Sequence, residues 1–432
     1  MTRSADVVVV GGGPAGSLAA LTLAERGVRV VLLDTKRFPR DKPCGGGIRY
    51  SVFRRFPDLA PSLRSTVAVH EIRKVLMESP GGATVLANSE TPFYVTLRRT
   101  EFDAALLADA RASGAAVAEG ERVSDIERTD EGLRVRTIAG TAIRARIVVG
   151  ADGVNSIVAR AARLTSGFAE DGLAIDTMEE TELAELSAVD SDTMYVAYGY
   201  KGWPGYGYVF PKTAHVDAGV GFLLSFFKRE LSGTPYEHHR RFLEEAADKN
   251  WVSGRSNQAN FKAYRLPLGG PLARTYADGV LLAGDAAGFV NAYTGEGIYY
   301  AMVTGQLAGE AAARALAEGD VSAARLAAYQ VAWQREIGEE LTDSVRIQRR
   351  LFAHPRLVDR IIRTAAADRE LCRLLAAVAL GEESLRRRKL AIAARFLLAM
   401  VRPRFSANSR PPPPPPGSRP APRGGARSRA PR

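Results

Sequence analysis

The stretch VVVVGGGPAG, residues 7–16, decides the fold. Val7 to Val10 form an unbroken apolar run, as a parallel strand buried on both faces requires. Gly11, Gly13 and Gly16 follow at G-x-G-x-x-G spacing with Pro14 and Ala15 between them, and Leu18, Leu21, Leu23 and Ala24 continue at helical period. A strand that turns through glycine into a helix sets free N–H groups and the positive end of a helix dipole against a diphosphate. Gly11 suits the tight turn, Gly13 the approach of backbone to phosphate, and Gly16 the packing of helix on strand. A second strand, Val28 to Leu33, ends at Asp34, placed to accept from a ribose hydroxyl. The pattern predicts a Rossmann-type dinucleotide site at the start of the chain.

Two later segments narrow the dinucleotide. VVGADG (148–153) reads as another buried strand whose end, Asp152–Gly153, turns back beside the ligand. LLAGDAAGFVNAYTGEGI (281–298) reads as a third, ending at Asp285, an acid that can bond a ribityl hydroxyl. Only flavins carry ribityl. The loop beyond brings Gly295 and Gly297 to a long helix, about 296–318, whose dipole can face the ring edge where negative charge collects on reduction. Taken together, the three segments predict FAD.

These segments resemble the FAD-dependent oxidoreductases built like p-hydroxybenzoate hydroxylase, and among them the geranylgeranyl reductase family. FPRDKPCGGGI (38–48) is similar to that family's PCGG signature and RTEFD (99–103) to its arginine-then-helix motif; GYGYVFP (205–211) and TGEGIYYAM (294–302) match as well. The resemblance covers residues 5–350. It implies an FAD-dependent reductase, acting on CH–CH groups, that saturates carbon–carbon double bonds of a geranylgeranyl or polyisoprenoid chain by hydride transfer. It also implies cofactor contacts at Ala15, Asp34, Cys44, Gly45, Gly47, Arg99, Val123, Asp285, Gly297 and Ile298. The family's substrate motif, PxxYxWxFP, keeps Tyr206, Phe210 and Pro211; Trp203 replaces its first proline and Tyr208 its tryptophan. Both departures fall on the substrate side.

With 432 residues and 46% apolar content, the chain can bury a large core in two or three subdomains. The expected class is α/β. A Rossmann-type FAD-binding domain (1–65, 98–165 and 270–350) is interleaved with an antiparallel-sheet substrate domain (66–97 and 166–269). A helical region (351–401) and a disordered Pro/Arg tail (402–432) follow. Alternating segments such as MYVAYGY (194–200) and DAGVGFLL (217–224) read as half-buried strands. The tail holds eight arginines and no Asp, Glu or Lys, so without it the net charge of +11 falls to +3. Its composition reads as solubilising or inert, and nucleic acid is not expected as a main partner.

Cys44 and Cys372 are the two cysteines, which suits a reducing cytoplasm and gives no zinc spacing, so no metal is expected. No leader is read before the first strand, and no apolar run reaches the ~18–20 residues of a membrane span. LRRRKLAIAARFLLAMVRPRF (385–405) pairs a basic cluster with Leu390, Ile392, Phe396, Leu397, Leu398 and Val401. Such a helix either lies in a membrane surface or packs that face on the protein. The pair His238–His239, in the charged segment YEHHRRF, is expected to be solvated.

Seven aromatics fall within residues 195–210: Tyr195, Tyr198, Tyr200, Trp203, Tyr206, Tyr208 and Phe210. They are expected to wall a pocket for a long apolar ligand, with Trp203, Tyr206, Tyr208 and Phe210 as its lining. An isolated alkene has no carbonyl to accept charge, so its reduction calls for protonation, a cation at the tertiary carbon, and hydride. Aromatic faces would stabilise that cation by roughly 0.5–2 kcal/mol each, and water must be kept out. Cys44 is the first choice for the proton donor, with Tyr206 and Glu296 as alternatives; the catalytic pair is Cys44 and Tyr206. With no second G-x-G-x-x-G, the electron donor is NADPH bound transiently or a ferredoxin-type carrier. The alternative enzyme is a flavin-dependent monooxygenase or halogenase of the same fold. A membrane- or nucleic-acid-binding protein with a vestigial flavin fold is the remaining class.

Overall fold

The computed structural model describes residues 3–401. Its apolar runs become neighbouring strands. Val280–Leu282, Ile147–Gly150, Val7–Val10, Val30–Asp34 and Ala116–Glu119 lie side by side in that order, all parallel, with the short antiparallel Tyr276–Ala277 on the outer edge. Val7–Val10 and Ile147–Gly150 are buried throughout, as strands covered on both faces must be. Because neighbours run the same way, their carboxyl ends share one edge of the sheet. All three glycine-bearing loops leave from that edge.

Helices Pro14–Glu25 and Ile298–Ala317 pack on each other. A Cβ at Gly305 would collide with the Ala15 carbonyl, and one at Gly309 would come within 2.8 Å of Thr22 Cβ. Residues four apart share a helix face. This glycine pair therefore lets the helices of the first and third segments touch backbone to side chain, fixing the two loops relative to each other.

A second sheet of seven strands runs Phe261–Pro267, Leu173–Glu182, His215–Leu223, Gly205–Pro211, Thr193–Tyr198, Lys74–Glu78, Thr84–Asn88. It is antiparallel except where Thr193–Tyr198 meets Lys74–Glu78. One of its faces packs on a core that includes Phe222, Phe242 and Trp251. Helix Pro235–Asp248 covers that face and is capped by a Thr234–Glu237 capping box. His238 and His239 were expected in solvent, yet they are 3% and 0% exposed. Each sits one helical turn before a core residue, Phe242 and Leu243, which puts both rings on the packed stripe. His238 Nε2 lies 3.0 Å from the Ser232 carbonyl, and His239 Nε2 3.5 Å from the Glu179 carboxylate.

Beyond Glu339–Ala353, helices Pro355–Ala367, Arg369–Ala379 and Leu385–Val401 close the end of the second sheet. Val358 and Ile362 bury against Tyr198. In the last helix Ile392 and Phe396 pack on Leu371 and Leu374, while Leu390, Leu397 and Leu398 stay 77%, 61% and 55% exposed. The apolar face foreseen for this helix is thus divided between protein and solvent. No described helix is long and apolar enough to cross a membrane. The basic tail, 402–432, and the Val401 side chain lie outside the described residues.

Candidate functional site

A cavity of about 670 Å³ runs from the carboxyl edge of the parallel sheet to the open face of the seven-stranded one. Gly11, Gly13, Pro14, Ala15, Asp34 and Val123 line it at the parallel sheet. Cys44, Gly45, Gly47, Arg99, Asp285, Gly295, Gly297 and Ile298 line its middle, and Tyr206, Tyr208 and Phe210 the far wall. Gly16 lies beneath the first loop, where a Cβ would overlap the Gly11 carbonyl oxygen.

Trp203, expected in the wall, is not there. It packs edge-on to Tyr200, Phe222 and His238 on the opposite side of the sheet. Tyr195 and Tyr200 belong to that same core. Strand alternation is the reason: Tyr206, Tyr208 and Phe210 are two residues apart on one strand and Tyr198 joins them from the next. Four rings of the seven therefore form the wall. Phe210 and Tyr208 are 4.6 Å apart, Tyr208 and Tyr206 6.1 Å, and Tyr206 stacks at 6.3 Å on Tyr198, which abuts Tyr293 and Phe352. The result is a continuous aromatic ladder along the cavity.

At the dinucleotide end the residues fit FAD. Asp103 accepts two 2.7 Å hydrogen bonds from Arg99 and pairs at 2.9 Å with Arg40. The other Arg40 amino group, Nη1, is buried without a partner among the described residues, and a Cβ at Gly13 would lie 3.5 Å from Arg40. An unpaired guanidinium N–H beside the glycine loop and the uncapped start of helix Pro14–Glu25 is a site for a diphosphate. Asp34 is held by the N–H groups of Gly12 (2.6 Å) and Lys36 (2.7 Å). Asp152 and Gly153 also line the cavity, and the Asp152 carboxylate accepts from Ser156 Oγ and the Ile157 N–H at the start of the short helix Ile157–Ala161, both at 2.6 Å.

The three residues weighed as proton donors differ in what holds them. Glu296 is not a free acid: its carboxylate accepts from the Arg49 N–H and guanidinium at 2.7–2.9 Å. Arg49 continues to Glu340 at 2.8 Å and to the Tyr300 hydroxyl, all buried or half-buried. Tyr206 donates to the Thr294 carbonyl at 2.8 Å and so pins the Gly295 loop; burial pushes its pKa up. Cys44 Sγ accepts from the Gly46 N–H at 3.4 Å with the Arg99 guanidinium beside it.

Several lining residues escaped the sequence reading. Lys42 places its ammonium 3.5 Å over the Tyr264 ring, and burial pushes its pKa down. Asp176 is 9% exposed, 3.4 Å from the Tyr208 hydroxyl. Burial, and then the nearby Asp217, push its pKa up to about 8. An acid on the inward face of an otherwise packed strand is a readable signal. By contrast Ala376, Ala379 and Leu380, which close the distal end, carry no motif.

Residues 4–343 match the family described as FAD binding domain. The chain is 33% identical over 351 residues to a digeranylgeranylglycerophospholipid reductase of Methanothermobacter thermautotrophicus, covering 80% of this chain and 87% of that one. It is 34% identical over 352 residues to the enzyme of that name from Methanothrix thermoacetophila, covering 78% and 84%. Among solved structures, a geranylgeranyl bacteriochlorophyll reductase-like protein from Thermoplasma acidophilum superposes with a TM-score of 0.76 at 21% identity, covering 90% of this chain and 99% of that one. A flavin-dependent brominase superposes at 0.67 and 18% identity over 92% and 98%, a likeness of fold alone.

Proposed function

Because the chain belongs to the FAD-binding-domain family and, within it, to the geranylgeranyl reductases, we propose that it saturates carbon–carbon double bonds in the prenyl chains of lipids. The observation that carries this reading is the aromatic ladder, which continues without a break from the dinucleotide loops into a cavity that is otherwise mostly apolar. FAD, once reduced, supplies hydride. The chain does the rest. Gly11, Gly13, Pro14, Ala15 and Gly16 cradle the diphosphate, Asp34 and Val123 border the adenosine half, and Asp285, Gly295, Gly297 and Ile298 hold the ribityl and ring. Cys44, Gly45, Gly47 and Arg99 close over it. Tyr206, Tyr208 and Phe210 exclude water and present negative ring faces to developing positive charge.

Cys44 and Tyr206, the pair expected to be catalytic, both line the cavity. Tyr206 keeps the Gly295 loop in place, and Cys44 forms the side of the cavity next to Arg99. Cys44→Ser should retain turnover within about tenfold if the thiol only shapes that wall, whereas a loss of ~10²–10⁴ would make it the acid. The reductant is NADPH, docking transiently, or a ferredoxin-type carrier.

The decisive experiment is anaerobic incubation of dithionite-reduced protein with a panel of prenylated lipids, followed by mass spectrometry. Stepwise gain of two hydrogens per bond is expected. A gain of oxygen under air, or of halogen, with no gain of hydrogen would overturn the reading in favour of monooxygenase or halogenase chemistry.

Lipid access follows from the last helix. Exposed Leu390, Leu397 and Leu398 adjoin the basic run Arg386–Lys389, a composition that settles on anionic membrane surfaces. Leu397→Asp with Leu398→Asp should weaken association with anionic vesicles by about 100-fold or more, since each leucine contributes roughly 1.5–3 kcal/mol when buried. Unchanged co-sedimentation would remove the helix from that role.

A further inference from the structure

Resting on the reading of a prenyl reductase, we propose that Asp176 is the acid that protonates the alkene, resupplied through Tyr208 from the buried Asp217–Lys212–Glu180 chain. The geometry begins with two glycines. On strand His215–Leu223, Gly221 pairs with Asp176 and Gly219 pairs with Tyr208. A Cβ at Gly221 would stand 3.0 Å from the Asp176 carboxyl, and one at Gly219 2.8 Å from the Tyr208 hydroxyl. The strand therefore leaves a trough into which the acid and the phenol fit, and both line the cavity.

The trough continues inward. Asp217, on the same strand face, is 1% exposed, and its Oδ1 has no hydrogen-bond partner among the described residues. Its other oxygen lies 3.2 Å from the Lys212 ammonium, which reaches Glu180 at 2.5 Å; Glu180 meets Arg98 at 3.0 Å, where the protein surface begins. Tyr208 borders both Asp176 and Asp217. A row of groups that can each hold or pass a proton thus joins solvent to the aromatic ladder.

Charge decides which carboxyl carries the proton. Burial pushes Asp217 up to about 7 and Lys212, 3.2 Å away, pulls it back toward the ionised form, while Asp176 has no cation in contact among the described residues. Burial and the Asp217 charge raise Asp176, and Lys42, facing it from the PCGG loop, only partly offsets them. Tyr206, Tyr208 and Tyr264, the other titratable groups facing it, are raised by burial and stay neutral. Cys44, by comparison, accepts from the Gly46 N–H and sits beside Arg99.

The step balances. The π pair of the alkene takes the Asp176 proton to form one C–H bond, and the tertiary carbon so exposed takes the hydride that the reduction already requires. Asp176 is left as a carboxylate and regains its proton through Tyr208.

Two measurements test this, one of them without substrate. A carboxyl whose pKa is raised in the folded protein stabilises it at low pH and loses that contribution as pH climbs through the folded value. The melting temperature of wild type relative to Asp176→Asn should therefore decline between about pH 4 and about pH 8 and level off above. A difference that stays flat overturns the proposal. In the lipid assay Asp176→Asn should lower kcat by ~10²–10⁴ with KM little changed, and Tyr208→Phe should lower it less and shift its pH profile. Wild type active and Asp176→Asn equally active would end this proposal alone. A wild type inert on every prenylated lipid would end the functional reading it rests on, and the proposal with it.

Discussion

Gly16→Ala protein is expected to purify colourless. The added methyl group has nowhere to go: its carbon would overlap the Gly11 carbonyl and approach Val9 Cγ1 at 3.2 Å. The helix cannot back away, because Gly305 holds it from the other side against Ala15. Overpacking a tight site costs about 1–3 kcal/mol even where neighbours can yield. Here the strain falls on the loop that must cradle the diphosphate, so FAD affinity should drop at least about 100-fold. Flavin absorbance per polypeptide after gel filtration, and titration of apoprotein with FAD, read this directly. A circular-dichroism melt separates a folded, colourless protein from an unfolded one. Yellow protein with near-wild-type affinity would show that the loop tolerates the methyl and that its geometry is not what selects the cofactor.

The second large effect belongs to Arg49→Met. This guanidinium sits 3% exposed between Glu296 and Glu340. Removing it strands the buried Glu296 carboxylate and the half-buried one of Glu340, at a cost of roughly 3–5 kcal/mol. The deficit should shrink as pH is lowered, because a stranded carboxyl takes up a proton in the folded state more readily than in the unfolded chain. The double variant Arg49→Met/Glu296→Gln should recover part of the loss. Thermal melts of the three proteins across pH give the answer. A deficit independent of pH would mean that packing, not charge, holds the GEGI loop to the strand Gly47–Arg49.

Much of the cofactor end was legible because its physics is local. A glycine that must lie under a carbonyl, or an acid that must end a strand, leaves a mark within ten residues, as Gly16 and Asp34 do. The aromatic wall was half legible. Composition marked residues 195–210, but the side on which each ring lies follows from strand register, and the turn carried Trp203 to the other face. The solvent assignment of His238 and His239 failed because neighbouring charges in YEHHRRF mask a helical stripe completed by Phe242 and Leu243. Lys42 and Arg40 were out of reach for a different reason: a single titratable residue in a loop means nothing until distant strands supply its surroundings.

The distal end of the cavity has its own consequence. Ala376, Ala379 and Leu380 close it, and they fall outside the segment, 4–343, that matches the FAD-binding family. The far reach of the cavity is therefore set by a part of the polypeptide outside the FAD-binding match. A change of bulk at those small side chains would reset the ruler and leave the electron chemistry as it was, so reach and reactivity can evolve on separate schedules.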